Sequence, residues 1–344
     1  MNTVAPITPE QITIAVTVYS RRQYIKQAVA SALQQTRPVR VMVVEDCGPD
    51  PALQDFVKRE FGDGIEYIRN PQRRGLFGNW NACLDNCKTP WVSILHDDDY
   101  LAPNFVESMI TLSERIPGCG LYFGAFHVVY ETGERAPEWD KPPIAVPWRN
   151  VPLEELYVGT PFAFAGQLFR VDRARQLGNF RVTSQYAGDW EMWAKLTAYF
   201  GAAETQEHVA YTRGHRGFDR GSNVVRRSGR IPALTYVQRK RVLALLRQRG
   251  VALHIDRRRD QQWVPIASRD LLECGNSISP RLLRYNLALL KLSPSPTWGH
   301  ALFKFSSSIF GPGFVKWASR LWTWALARET RSGPQGVNML KPVR

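Results

Sequence analysis

The sequence predicts an α/β protein: a Rossmann-like, doubly wound, mostly parallel sheet flanked by helices, followed by a basic, mainly helical C-terminal extension. Three observations carry this. Short β-branched apolar runs alternate with amphipathic stretches of helical period through the first 115 residues. Three of those runs end in polar clusters, and open α/β sheets bind ligands at the carboxyl ends of their strands. The charge is also divided. Residues 1–210 hold 20 Lys/Arg against 25 Asp/Glu, a net −5, whereas residues 211–344 hold 25 against 6, a net +19.

The elements follow in order. Ile12–Val18 is short, apolar and β-branched, as a buried strand should be. Residues 22–34 place Ile25, Ala28, Val29 and Leu33 on one helical face. Val39–Glu45 is a second strand. Asp50 then caps a helix with Pro51 at its first position. Gly64–Arg69 is a third strand, residues 77–87 a helix, and Trp91–Leu95 a fourth strand feeding Asp97-Asp98-Asp99. Pro103 opens a helix to Arg115, and residues 119–130 form another strand. Pro137–Pro152, with five prolines and two tryptophans, reads as a long surface loop able to fold over a site. Phe162–Phe169 is a strand and Asp189–Phe200 a helix closed by Gly201. Residues 231–248, 262–274 and 280–291 read as helices.

The 344 residues give room for a large core, and the 44% hydrophobic share fits a folded protein. No apolar run reaches the roughly 20 residues of a spanning helix. The first twenty residues lack a basic region followed by an apolar one, so no signal peptide is expected. Five cysteines show no zinc-type pairing. Cys83 and Cys87, four apart, read as two buried thiols on one helix.

Three adjacent carboxylates at a strand mouth repel one another, and a divalent cation with oxygen ligands relieves that repulsion. An acidic strand-to-helix turn is the plain alternative. Glycine-rich phosphate loops are absent, so a bound diphosphate would need a metal rather than a cradle of amides. Asp189 reads either as a helix N-cap or as a base, and Asp46 either as a turn residue or a ligand contact. Arg73-Arg74-Gly75 reads as a solvated loop or a phosphate contact. Asn79 and Asn81 face a nucleotide or the helix surface. Trp190 and Trp193 read as core or acceptor-pocket wall.

Five elements in order resemble glycosyltransferase family 2. Thr17-Val18-Tyr19-Ser20 ends the first strand, and Ser31-Ala32-Leu33-Gln34-Gln35-Thr36 matches the family's S-x-x-x-Q-T. Val44-Glu45-Asp46-Cys47-Gly48-Pro49-Asp50 matches V-D-D-x-S-x-D. The aspartate triplet stands in the DxD region, with Pro103 after it. Gly188-Asp189-Trp190-Glu191-Met192-Trp193-Ala194-Lys195-Leu196 resembles the E-D-x-x-x-W-x-x-x-L helix. The likeness covers about residues 10–215 and departs twice: His96 replaces the usual first Asp, and Gly188 the Glu before the base.

The resemblance implies a GT-A fold and an inverting hexosyl-type transferase, metal-dependent, acting by one direct displacement. It implies that Thr17 and Tyr19 contact the nucleotide, that Asp46 accepts from the base, and that Asp97 faces the ribose or donor sugar. Asp98 and Asp99 would hold Mg²⁺ or Mn²⁺ on the donor diphosphate, with His215 near the phosphates. Asp189 would be the general base. The donor would be a nucleoside-diphosphate sugar, UDP being favoured, and the acceptor a glycan or lipid-linked hydroxyl of cell-envelope polysaccharide synthesis. The domains expected are a catalytic one over 1–215, with a nucleotide part at 10–118 and an acceptor part at 119–215, and a basic region over 216–344.

Aromatic and basic residues interleave late in the chain: Phe303, Phe305, Phe310, Phe314, Trp317, Trp322 and Trp324 with Lys304, Lys316, Arg320 and Arg328. This suits an anionic membrane surface, so residues 280–328 dock on the inner leaflet or form a cap on the catalytic domain. A cytoplasmic, peripheral location is expected. No nucleic-acid partner is expected, since the arginine-rich 213–259 segment is poor in stacking aromatics. A nucleotidyltransferase is the competing enzyme class, but Tyr19-Ser20-Arg21-Arg22 lacks the glycine its first loop needs.

Overall fold

The computed structural model describes residues 6–137, 144–158, 162–184, 187–214, 230–248, 250–251, 284, 286 and 313–318. The chain divides into two units, Met1–Arg216 with Arg241–Leu253, and Gly217–Lys240 with His254–Arg344. In the first unit β1 (Ile12–Val18) is buried at every residue. It is flanked in parallel by β2 (Arg40–Glu45) and β4 (Trp91–His96), and β3 (Glu66–Arg69) pairs with β2. A strand covered on both faces is near-continuously apolar, which is why this run shows no full alternation; its buried Thr13 and Thr17 hydroxyls bond Thr89 Oγ1 and Leu95 O.

The full sheet order is β3-β2-β1-β4-β8-β6-β9-β5, where β5 is Tyr100–Leu101, β6 Leu121–Val129, β8 Gln167–Arg170 and β9 Ala202–Arg213. β7 (Trp148–Asn150) pairs antiparallel with β9. β4–β8 and β6–β8 are antiparallel, while β6–β9 is parallel with register shifts between Gly124 and Phe126. The chain runs outward from β1 through β2 to β3, then returns to place β4 on the other side of β1. The reversal opens a crevice at the carboxyl ends of β1 and β4.

The helices of this unit are α1 (Arg22–Leu33), α2 (Leu53–Phe61), α3 (Gly75–Asn86), α4 (Phe105–Arg115), α5 (Leu153–Val158), α6 (Val171–Gln176) and α7 (Gly188–Phe200). α1 buries Ile25, Ala28, Val29 and Ala32, spaced as one helical stripe. Its last turn carries a second function. Ser31 Oγ accepts from Leu101 N at 3.1 Å, and Gln35 bonds Ala102 O and Val106 N at 2.9 and 3.0 Å. The S-x-x-x-Q-T residues thus fasten the segment that follows the aspartate triplet.

Several expectations are corrected. α2 begins at Leu53, because Asp50 closes a turn onto Ala52 N at 3.0 Å instead of capping the helix. The Pro137–Pro152 stretch is not all loop, since β7 satisfies its backbone on β9. The strand expected over 162–169 is confined to Gln167–Arg170, where pairing with β4 and β6 is available. Asn79 and Asn81 do not lie on an exposed helix surface: both are buried, bonding Val44 O and Phe180 O. Cys83 and Cys87 are buried free thiols. α8 (Ile231–Gln248) forms as expected, while the helices expected at 262–274 and 280–291 lie almost wholly outside the described residues. Among the described residues no helix is long and apolar enough to cross a membrane.

Candidate active site

Asp46 follows β2. Its carboxylate accepts from Arg74 N at 2.7 Å, Gly75 N at 2.8 Å and Asn70 Nδ2 at 3.2 Å. The first two donors belong to the start of α3, so Asp46 satisfies a helix N-terminus from outside the helix. Next to it Glu45, wholly buried, is ion-paired with Arg69 and accepts from Tyr67 Oη at 2.7 Å and Gly48 N at 2.9 Å. This pin was not foreseen, although the acidic pair Glu45-Asp46 was visible. A Cβ on Gly48 would lie 1.8 Å from the Tyr19 carbonyl oxygen, so only glycine lets the loops after β1 and β2 approach this closely. Arg73 lies 4.4 Å over the Tyr19 ring. Thr17, at the end of β1, donates its hydroxyl to Leu95 O at 3.3 Å and so ties β1 to β4.

The triplet lies across the crevice. Asp97, Asp98 and Asp99 are all buried. Arg21, in the loop after β1, donates to Asp97 Oδ1 at 3.2 Å and is ion-paired with Asp98 Oδ2. Asp99 Oδ1 accepts from Arg213 N at 2.9 Å. Burial and the neighbouring Asp98 charge push the Asp99 carboxyl well above the usual carboxylate range, while the Arg213 N–H opposes them. Arg213 is itself a clamp: its guanidinium donates to Asp98 O at 3.0 Å, Tyr130 O, Glu131 O and Gln27 Oε1 at 2.7 Å, and lies 4.6 Å over the Tyr24 ring. Neither Arg21 nor Arg213 had a role assigned from sequence, since arginines are common in this chain and their partners are distant along it. His215, two residues past β9, lies outside the described residues.

His96 closes β4. Its ring is stacked on Phe164 at 4.3 Å and on Trp80 at 5.6 Å. Burial pushes its imidazole down to about 4, so it is neutral at pH 7, the form in which histidine ligates metals. One ligand atom each from His96, Asp98 and Asp99 lie within 4.8 Å of one another, with His96 Nδ1 4.0 Å from Asp99 Oδ2. Two buried carboxylates and a neutral imidazole converging in this way fit a divalent cation, with Mn²⁺ suiting the mixed N/O set better than Mg²⁺. His96, which stands where the family pattern has the first Asp of DxD, thus still brings a donor atom close to Asp98 and Asp99.

α7 starts beside the same aromatic wall. A Cβ on Gly188 would lie 2.4 Å from the Phe77 ring, and Phe77 meets Trp80 edge-on at 5.0 Å. The glutamate the family pattern would place at 188 has no room here, which explains that departure. Gly188, Phe77, Trp80 and His96 form a continuous packed path from α7 to the triplet. Asp189 sits in the first turn of α7. The N-cap position belongs to Ala187, in the left-handed region at φ 55°, so Asp189 is not the cap. Burial raises its carboxyl, opposed by the N–H groups of Trp190 and Asp189 itself. Glu191, two residues on, is bound to Arg181 at 3.2 Å and Lys195 at 3.4 Å and is held as a paired anion. Trp190 and Trp193 are core residues, 7% and 0% exposed.

Residues 13–169 match the family model of glycosyl transferase family 2. An uncharacterized glycosyltransferase of Rickettsia felis is 24% identical over 189 residues, covering 54% of this chain and 31% of that protein. The chain thus spans about a third of that relative's length. The succinoglycan biosynthesis protein ExoO of Rhizobium meliloti is 31% identical over 102 residues, covering 29% of this chain and 28% of that protein. The crystal structure of S. aureus TarS 1–349 in complex with UDP-GlcNAc superposes with a TM-score of 0.57 at 16% identity, covering 90% of this chain and 92% of that one. The fold is GT-A.

Proposed function

We propose that this chain, whose residues 13–169 match the glycosyl transferase family 2 model, transfers a sugar from a nucleoside-diphosphate sugar to a hydroxyl of a glycan or lipid-linked acceptor. The observation that carries the reading is the convergence of buried carboxylates at the β1/β4 crevice, where the sheet order reverses. UDP is the favoured nucleotide, supported by the UDP-GlcNAc complex of a protein with this fold. Similarity to a succinoglycan biosynthesis protein supports a polysaccharide acceptor.

In this reading the base lies on the Asp46 side and the diphosphate on the Asp98 side. Tyr19 and Arg73 stand between as a ring-and-guanidinium edge, and Asp97 meets the ribose or the donor sugar. Asp98, Asp99 and His96 would hold Mn²⁺ or Mg²⁺, with His215 as a further candidate. When bound, the cation supplies Lewis-acid stabilisation of the charge on the departing diphosphate. Asp189 takes the proton of the acceptor hydroxyl. That oxygen attacks the anomeric carbon from the face opposite the leaving group, the bond from carbon to the diphosphate oxygen breaks, and the nucleoside diphosphate departs with inversion. A base needs a carboxylate free of strong cationic partners and of raised basicity. Burial raises the Asp189 carboxyl and no ion pair holds it among the described residues, whereas the neighbouring Glu191 is bound to Arg181 and Lys195. The transfer would occur in the cytoplasm, on or near the inner leaflet; the membrane-docking segment expected at 280–328 lies mostly outside the described residues.

UDP release from UDP-sugars in the presence of an acceptor glycan tests the reading. Release that is present in the wild type and lost in Asp189→Asn, with UDP still bound by the variant, supports it. Wild-type turnover in the variant would remove Asp189 from the base role.

A further inference from the structure

Arg21, which has no role in the proposed chemistry above, touches the triplet directly. It is the residue just before α1, and its side chain makes no capping bond there. Instead the guanidinium crosses the crevice from β1 to β4 and binds two members of the triplet, Asp97 and Asp98. Its partners are buried, with side chains 9% and 10% exposed, while the arginine side chain is 33% exposed. The carboxylates are therefore fixed and the cation has a way out. Ser20, before it, is exposed. On Asp98 the guanidinium holds Oδ2, so a divalent cation on this carboxylate would compete with it.

We propose that Arg21 is an exchangeable counter-cation. It neutralises Asp97 and Asp98 before the donor arrives, and it passes to the donor diphosphate when a divalent cation takes Asp98. This rests on reading the triplet as the diphosphate site. The charges favour the exchange. A divalent cation neutralises the carboxylates better than one guanidinium does, and a diphosphate offers the freed fork two oxygens in bidentate geometry. A diphosphate held by a cation on Asp98 would lie next to the place Arg21 leaves. The exchange also makes cation and nucleotide bind cooperatively, since a cation binding alone displaces Arg21 from Asp98 without a diphosphate to receive it.

The test uses the full chain and two ligands. Mn²⁺ alone is titrated without nucleotide and followed by its electron paramagnetic resonance signal. UDP is then titrated calorimetrically at saturating Mn²⁺. The proteins are wild type, Arg21→Gln and Arg21→Lys, with thermal melts to confirm folding. Arg21→Gln is expected to bind Mn²⁺ about fivefold to tenfold more tightly, because its competitor is gone, and UDP more weakly by a similar factor. Arg21→Lys, which keeps the charge without the fork, should leave Mn²⁺ binding near wild type and still weaken UDP. A fixed structural ion pair gives a different pattern: Mn²⁺ binding unchanged or weaker in Arg21→Gln, which overturns the exchange. If neither Mn²⁺ nor UDP binds wild type, the transferase reading fails with it. If wild type binds both and only the Arg21 pattern is absent, the inference alone fails.

Discussion

Asp46 and Asp98 lie on opposite sides of β1 and are held in opposite ways. Asp46 meets three N–H donors, two of them the opening amides of α3, in a geometry that needs nothing added. Asp98 lies among two other buried carboxylates and is ion-paired with an arginine that is one-third exposed. The first arrangement stabilises the fold and offers a rigid acceptor. The second keeps negative charge together at a cost to the fold, which natural proteins accept at functional sites. Asp189 is held in neither way: it is a carboxylate at the start of α7 that burial raises.

Five substitutions test that contrast. The largest effect should fall on turnover: Asp189→Asn is expected to lower kcat by about 10²–10⁴, the usual worth of a positioned base, while UDP binding persists. The wild-type rate should fall with decreasing pH along a limb above the ordinary aspartate range, because the base must be ionised and its carboxyl is raised. Next, Asp46→Ala should cost about 2–4 kcal/mol of stability in denaturant unfolding, since it strands two helix-start donors and Asn70. Asp98→Asn should cost far less, and equal losses would erase the contrast. Gly188→Ala should cost about 1–3 kcal/mol as its methyl meets the Phe77 ring. The smallest effect is Asp99→Asn, expected to stabilise by up to about 1 kcal/mol at pH 7. The sign follows from linkage. A raised carboxyl binds more protons in the native state, so stability falls as pH rises from the ordinary value of 3.8 through the raised one. Removing the group should flatten unfolding midpoints over that interval.

The parallel half of the sheet was legible because its information is local. β1, β2 and β4 are continuous apolar runs that end in polar clusters, so period, length and termini all agree. The other half was not. β7 is a three-residue strand inside a proline-rich stretch, and it exists because β9 offers an edge to pair with. The site divides similarly. Carboxylates announce themselves in sequence, and the structure brings Asp97, Asp98 and Asp99 to the same crevice as Thr17 and Tyr19. Their partners do not: Arg21 and Asp98 are 77 residues apart, and Arg213 and Asp99 are 114 apart. The roles of Ser31 and Gln35, which fasten Leu101, Ala102 and Val106, likewise arise only in the fold, across about 70 residues of chain. Gly188 showed only as a departure from the family pattern until the Phe77 ring gave its cause.

The most direct measurement is a calorimetric titration of UDP into the full chain with and without Mn²⁺, repeated on Asp98→Ala. The expected result is saturable binding by wild type that strengthens with Mn²⁺, and loss of that strengthening in the variant. Absence of binding by UDP and by every other nucleoside diphosphate, with or without Mn²⁺, would contradict the reading of this crevice as a donor site.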